Sequence, residues 1–461
     1  MKLVLVGGGG IRTPLFIDSL LGRMKRWQSA ETIDALTLHD VQESRLRVMD
    51  VMGRHILEKA GSSIALSTTT NLEEALEGAD FVVTTLRAGM EQGRIIDEKV
   101  PLAQGCIGQE TVGAGGYAMA MRSIPAVLEV ARTMRRVAPK AWIINFTNPA
   151  SLVTQALVDA GFDNAVGICD SADSIARDAG AHLGFAKHDV KLKVFGLNHC
   201  SFTREAMAGG EDILPKLLAD DRFLDHQMAL YDKSLLREIG VLPNEYLYYY
   251  FYPEKAYEGM AEEAHTRGEQ VLALNTGFFK DAFDGDQVKP ADELLRLHHA
   301  LVYKRNATYM DYAWKETAEG ERPPEKVETG GEGYAGVALD FIEARLGAEA
   351  VPIVLNYRNM GAIPFFAAHE VAELTYMVGP DTFEAVPVPP EAIHPKVEKL
   401  LRQVRYYETL AAASSRYRSR RAATWALQSN PLVASPDKAS AILDGFAQGH
   451  GGVLAEMAQS D

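Results

Sequence analysis

Three short segments place reactive side chains just beyond apolar runs, where an α/β protein presents substrates to its chemistry. They are Phe146-Thr147-Asn148-Pro149-Ala150, Gly167-Ile168-Cys169-Asp170-Ser171 and Gly196-Leu197-Asn198-His199-Cys200. Cys169 read singly is a small buried apolar residue, and His199 a hydrogen-bonded structural histidine. Read together, a thiol and an imidazole at neighbouring strand ends can hold one divalent metal ion, with open positions left for substrate oxygens. Both readings stand on residue type alone. A fourth segment, Gly7-Gly8-Gly9-Gly10, directly follows Leu3-Val4-Leu5-Val6 and precedes a helix pattern. There a glycine-rich turn brings backbone N–H groups and a helix N-terminus up to a pyrophosphate, which side chains would keep away. Asp40 ends the next apolar run, where a carboxylate accepts hydrogen bonds from an adenosine ribose and repels a 2′-phosphate, favouring NAD over NADP. The spacing from Gly10 to Asp40 is about thirty residues rather than roughly twenty, an excess that the polar stretch Arg26-Trp27-Gln28-Ser29 accounts for. Ile11 and Arg45 complete the expected cofactor-binding set.

These groups need a scaffold that alternates strands and helices. The pattern predicts strands at Leu3–Val6, Ala35–Asp40, Ile64–Ser67, Phe81–Thr85, Ala141–Phe146 and Val166–Ile168, with helices at Pro14–Met24 and Glu43–Ala60. That is a Rossmann-type doubly wound sheet, expected to occupy residues 1–190. From about residue 190 the pattern mixes helices with single strands such as Val351–Leu355, predicting an α+β domain over residues 191–461 for substrate, metal and oligomer contacts. The aromatic run Tyr246–Tyr252 falls in this half, and Glu319–Gly333 reads as a loop. The basic run Arg416, Arg418, Arg420 and Arg421 reads as the end of a helix and a solvated or subunit-contact face.

At 461 residues, with 47% hydrophobic and 24% charged residues, the chain has the composition of a folded globular protein. A net charge of −15 argues against nucleic-acid binding. Only three cysteines, Cys106, Cys169 and Cys200, are present, which suggests a reducing compartment without a disulfide framework. No apolar stretch is long enough to span a bilayer, and the N-terminal run reads as a strand rather than a signal peptide, so a cytoplasmic location is expected.

The motifs, taken in order, resemble those of the family 4 glycoside hydrolases, NAD- and manganese-dependent glycosidases that depart from two-carboxylate hydrolysis. The matching segments are Gly7–Gly10 with Thr13-Pro14, Gly93-Arg94 through Pro101-Leu102, Ile107–Thr111, Gly115–Ala118, Arg122–Pro125, Asn145–Pro149, Cys169, Gly196–His199, Asn356–Asn359 and Asn430–Val433. The resemblance implies Cys169 and His199 as metal ligands, and Asn148 and Arg94 as residues holding the sugar. It implies Arg267, in Thr266-Arg267-Gly268-Glu269, as a substrate contact, and Tyr246, in Pro243-Asn244-Glu245-Tyr246-Leu247, as the base removing the C2 proton. Asp170 stands where some members carry a catalytic acid; its bland alternative is an N-cap for a helix starting at Ser171.

The implied reaction is oxidation at C3 by NAD, deprotonation at C2, elimination of the aglycone, addition of water at C1 and return of the hydride. Many members act on sugars phosphorylated at C6, and the wording here is most similar to the 6-phospho-β-glucosidase branch. That branch usually has serines in the glycine turn, where this chain has Gly10-Ile11-Arg12. Arg12 could bind an anionic C6 group, and its planar fork suits a sulfonate as well as a phosphate. A sulfoquinovosidase acting by the same chemistry is therefore a second substrate class. A 2-hydroxyacid dehydrogenase and a non-catalytic NAD sensor are the rivals from other classes. A homodimer or homotetramer is expected.

Overall fold

The computed structural model describes residues 1–27, 31–314, 317 and 333–460. Its strands are β1 (Lys2–Val6), β2 (Ala35–His39), β3 (Ala65–Thr69), β4 (Phe81–Thr84), β5 (Trp142–Asn145), β6 (Ala165–Gly167), β7 (Lys191–Leu197), β8 (Cys200–Ala208), β9 (Glu211–Asp212), β10 (Leu242–Pro243), β11 (Phe283–Asp284), β12 (Gln287–Val288), β13 (Val351–Arg358), β14 (Val371–Val378) and β15 (Phe383–Ala385). Nine of these make one sheet in the order β15-β14-β13-β6-β5-β4-β1-β2-β3. From β3 to β6 every neighbour is parallel, as expected for short apolar strands joined by helical crossovers. Leu3, Val4, Leu5, Val82, Val83, Ile143 and Ile144 are fully buried because helices cover both faces.

The helices follow the sequence pattern closely: Thr13–Met24 starts with a proline in its first turn, and Glu43–Lys59 presents Leu46, Val48, Met49, Met52, Ile56 and Leu57 to the sheet. The fold is the Rossmann-type sheet expected from the sequence, but it does not end with the first half of the chain. After a small antiparallel sheet of β7, β8, β9 and β10, the chain returns. Strand β13 adds antiparallel to β6, with Asn356 opposite Gly167. A Cβ on Gly167 would lie 2.9 Å from Asn356 Cβ and closer still to Thr154, so this seam needs a glycine. Strand β14 then lies between two sheets: it pairs with β13, and Thr375 donates to Leu192 O and accepts from the Val194 N–H, both on β7.

The other segments singled out in the sequence fall as follows. The aromatic run is a 3-10 turn at Glu245–Leu247 followed by a one-turn helix at Tyr248–Phe251. The basic run straddles a turn between helices Pro395–Tyr417 and Arg420–Ser429, with Arg418 left-handed at φ 50°; Arg420 pairs with Asp444, Arg418 with Glu456, and Arg421 stacks on Trp425. The Glu319–Gly333 segment lies outside the described residues, apart from Gly333. No helix among the described residues is long and apolar enough to cross a membrane.

Candidate active site

Gly7, Asp40, Asn148 and Cys169 all follow the carboxyl ends of parallel strands, so the sheet delivers them to one edge. The glycine turn closes tightly there. The N–H groups of Gly7 and Gly8 both donate to His39 O at 2.8 Å, and Gly10 N–H donates to Gly7 O. Gly7 has φ +98°, and a Cβ on it would sit 2.8 Å from the Thr85 carbonyl carbon. Asp40 accepts from the Gly9 N–H at 3.1 Å and from Gln42 N–H at 3.0 Å. No side chain caps the helix that begins at Thr13; its Thr13 N–H donates to Gly10 O at 3.1 Å, which ties the helix start to the turn, and Pro14 has no N–H to satisfy. Ile11 is buried beneath it. Arg45 lies beside Gly9, but its guanidinium pairs with Glu91 at 3.3 Å and stacks on Phe279 at 4.6 Å.

Cys169 and His199 come from different sheets and converge on Tyr246. His199 occupies the two-residue turn between Leu197 and Cys200, in the left-handed region at φ 60°, an uncommon conformation for a histidine. Its ring stacks on Tyr246 with centroids 3.7 Å apart and planes 16° apart. His199 Nδ1 is buried without a hydrogen-bond partner, and burial holds the imidazole down at about 3, hence neutral with a lone pair to give. Burial, Glu373 and Asp170 push the Cys169 thiol up. Burial, Glu245, Cys169 and Asp170 likewise push the Tyr246 phenol up. An orphaned imidazole nitrogen, a buried thiol and a phenol that needs positive charge to ionise together suit a divalent cation. Among the described residues no group of three or more His, Cys, Asp or Glu side chains is arranged to hold a metal.

Asp170 occupies the N-cap position of helix Ser171–Leu183 but its side chain makes no capping hydrogen bond. Its carboxylate instead faces Arg12 at 3.7 Å. Asn148 is half-buried in the loop after β5, whose shape Asn145 fixes by bonding to Thr84 Oγ1 and to both backbone groups of Thr147. Tyr249 is tied to Tyr312 at 3.1 Å, and Tyr248 and Tyr249 are core residues; Tyr246 is the tyrosine of this run whose ring stacks on His199.

A guanidinium cluster adjoins these groups. Arg94 is buried and held by Glu98 at 2.7 Å and Glu110 at 2.8 Å. Arg87 also pairs with Glu110, and the Glu110 carboxyl, though disfavoured by burial, is brought down to about 2 by Arg87 and Arg94. Arg267 donates to Thr308 Oγ1 and Arg305 O. Burial and then the repulsion of Arg12, Arg267, Arg94 and Arg87 lower Arg305 to about 9, and burial with Arg94 lowers Arg267 to about 10. Guanidinium groups gathered this closely inside a fold repel one another, and an anion among them would relieve that repulsion. Sequence reasoning missed Arg87 and Arg305. Arg87 sits just past the end of β4, the strand-end position that pointed to Cys169; Arg305, on a charged helix at Ala291–Ala307, carried no signal.

Family models match almost the whole chain: family 4 glycosyl hydrolase over residues 2–183, and the family 4 glycosyl hydrolase C-terminal domain over residues 194–433. The chain belongs to glycosyl hydrolase family 4. This family 4 hydrolase is 28% identical over 470 residues to a probable 6-phospho-beta-glucosidase of Bacillus subtilis, covering 99% of this chain and 98% of the relative. Its fold matches the 6-phospho-beta-glucosidase of Thermotoga maritima bound to NAD and glucose-6-phosphate, with TM-score 0.80 and 24% identity over 97% and 98% of the two chains. A 6-phospho-alpha-glucosidase from gut microorganisms, in complex with NAD and Mn2+, matches with TM-score 0.80 and 24% identity over 98% of each. Family membership sets aside the hydroxyacid dehydrogenase and the NAD sensor. The sulfoquinovosidase reading gains no support from these relatives, which are phosphoglucosidases.

Proposed function

We propose that the chain hydrolyses 6-phosphoglucosides with NAD and a divalent metal ion such as manganese. The observation that carries this reading is the guanidinium cluster beside the Tyr246–His199 stack. Arg12, Arg87, Arg94, Arg267 and Arg305 gather around Glu98 and Glu110, an excess of positive charge suited to a phosphate monoester close to a dianion. A singly charged sulfonate matches that excess less well. Arg12 and Arg305 are assigned to the C6 phosphate, and Arg94, Arg267 and Asn148 to the sugar and its approach.

Gly7 to Ile11 and Asp40 form the dinucleotide site, with Arg45 beside Gly9 at its edge. Cys169 and His199 hold the metal. When bound, the dinucleotide supplies reversible oxidation at C3, which acidifies C2–H, and the cation supplies a Lewis acid and the charge that favours a phenolate. Tyr246 accepts the C2 proton and keeps it within the stack on His199. Asp170, not engaged as a cap, donates a proton to the departing glycosidic oxygen, while Arg12 at 3.7 Å keeps its carboxyl oriented. Two domains divided near residue 190 remain our organisational reading, supported by the change of family model between residues 183 and 194. A reducing, cytoplasmic setting agrees with three free cysteines. Exposed Tyr406 and Tyr417 on one helix face support assembly as a homodimer or homotetramer.

The test incubates the protein with NAD, manganese and p-nitrophenyl 6-phosphoglucosides of either anomer. Release of p-nitrophenol without net NADH is expected. No release from either anomer overturns the proposal.

A further inference from the structure

We infer that Glu373, a buried carboxylate on β14, is the positioning residue that sets His199 and Tyr246 against each other. Glu373 is 1% exposed, and among the described residues no cation pairs with it. It accepts instead from three neutral donors: Asn198 Nδ2 at 3.0 Å, Ser201 Oγ at 2.6 Å and Asn356 Nδ2 at 2.9 Å. A buried carboxyl without a counter-charge is costly to keep unless its hydrogen bonds hold other parts of the fold in place.

Each bond leads to a different part of the site. Asn198 precedes His199 in the strained turn, and its Oδ1 accepts from Ala150 N–H at 3.2 Å, at the head of the Asn148 loop. Ser201 also accepts from Asn244 Nδ2 at 2.9 Å, and Asn244 Oδ1 accepts from the Tyr246 N–H at 3.0 Å. Asn356, the cross-strand partner of Glu373, lies opposite Gly167, two residues before Cys169. One side chain thus joins the elements that carry Cys169, His199, Tyr246 and Asn148, across the seam between the two sheets. Thr375, on the same face of β14, also stitches the seam, but only to the β7 backbone, so it joins the sheets without reaching the site.

The inference rests on the proposed roles of His199 and Tyr246, and its test separates the two failures. Manganese affinity is read by electron paramagnetic resonance, C2 proton removal by deuterium exchange from solvent, and the ring stack by crystallography. Partners behind a metal ligand or base are worth about ten- to a hundredfold. Asn198→Ala is expected to weaken manganese binding by that factor. Ser201→Ala is expected to slow C2 exchange by a similar factor, to leave manganese affinity within about twofold, and to shift the Tyr246 ring off His199. Glu373→Ala combines both defects, and Glu373→Gln, whose amide oxygen still accepts from both asparagines, recovers most of each. Thr375→Val loses stability but neither function. If Glu373→Ala does not fold, the single-arm variants decide. An unmoved ring stack in Ser201→Ala, or unchanged manganese affinity in Asn198→Ala, overturns the inference. A wild-type protein that is inactive on phosphoglucosides defeats the proposed substrate, while the stack and manganese binding still report on Glu373.

Discussion

At the scale of single residues, Asp170 and Arg305 make opposite demands on an experiment. An acid matters in proportion to how poor the leaving group is, so Asp170→Asn should slow alkyl or sugar 6-phosphoglucosides by about a hundredfold or more and spare p-nitrophenyl ones. Equal slowing for both, measured as kcat/KM, would remove the acid role. Arg305→Ala deletes a charged partner of the C6 group, costing about 2 kcal/mol, or roughly thirtyfold in KM with little change in kcat. Tyr246→Phe should keep substrate binding and lose about a hundredfold or more in turnover together with C2 deuterium exchange. Cys169, His199 and Tyr246 were legible in the sequence because each lies in a short motif of characteristic wording, and Arg12 because it replaces an expected serine. Arg305 and Glu373 were not, because their significance comes from what surrounds them. One is a cation among cations, the other an acid among amides, and neither condition is visible until distant strands and helices are brought together.

The elements that carry these residues divide in the same way. The strands from Lys2–Val6 to Ala165–Gly167 were readable because buried parallel strands are short apolar runs closed by turn residues, and the glycine turn announced its own neighbours. Strand Val351–Arg358 was readable as a strand but not as a neighbour of Ala165–Gly167, since pairing partners are chosen by tertiary packing. The turn itself permits little change. Gly7→Ala adds a Cβ 2.8 Å from the Thr85 carbonyl carbon in a residue at φ +98°. The backbone at the end of β1 must then shift, and the prediction is loss of NAD binding by fluorescence titration, with the fold retained by circular dichroism.

Over the whole molecule, the late helices are bound to the first half as firmly as the late strands are. Asp97 is 1% exposed and takes both Arg122 nitrogens, at 2.8 and 2.6 Å, and His450 Nε2 at 2.9 Å, uniting helices Met90–Ala103, Gly113–Val137 and Pro436–His450. Asp97→Ala leaves a guanidinium buried without its partner, and should cost ~3 kcal/mol in urea unfolding. An unchanged midpoint would show that the clasp contributes nothing. The seam between Asn356 and Gly167 has a consequence in time as well as space. At ribosomal speeds of about 5–20 residues per second, β6 waits roughly ten to forty seconds for the strand that covers it. Throughout that interval the growing chain carries an open sheet edge, a template for wrong pairing that closes only when β13 arrives.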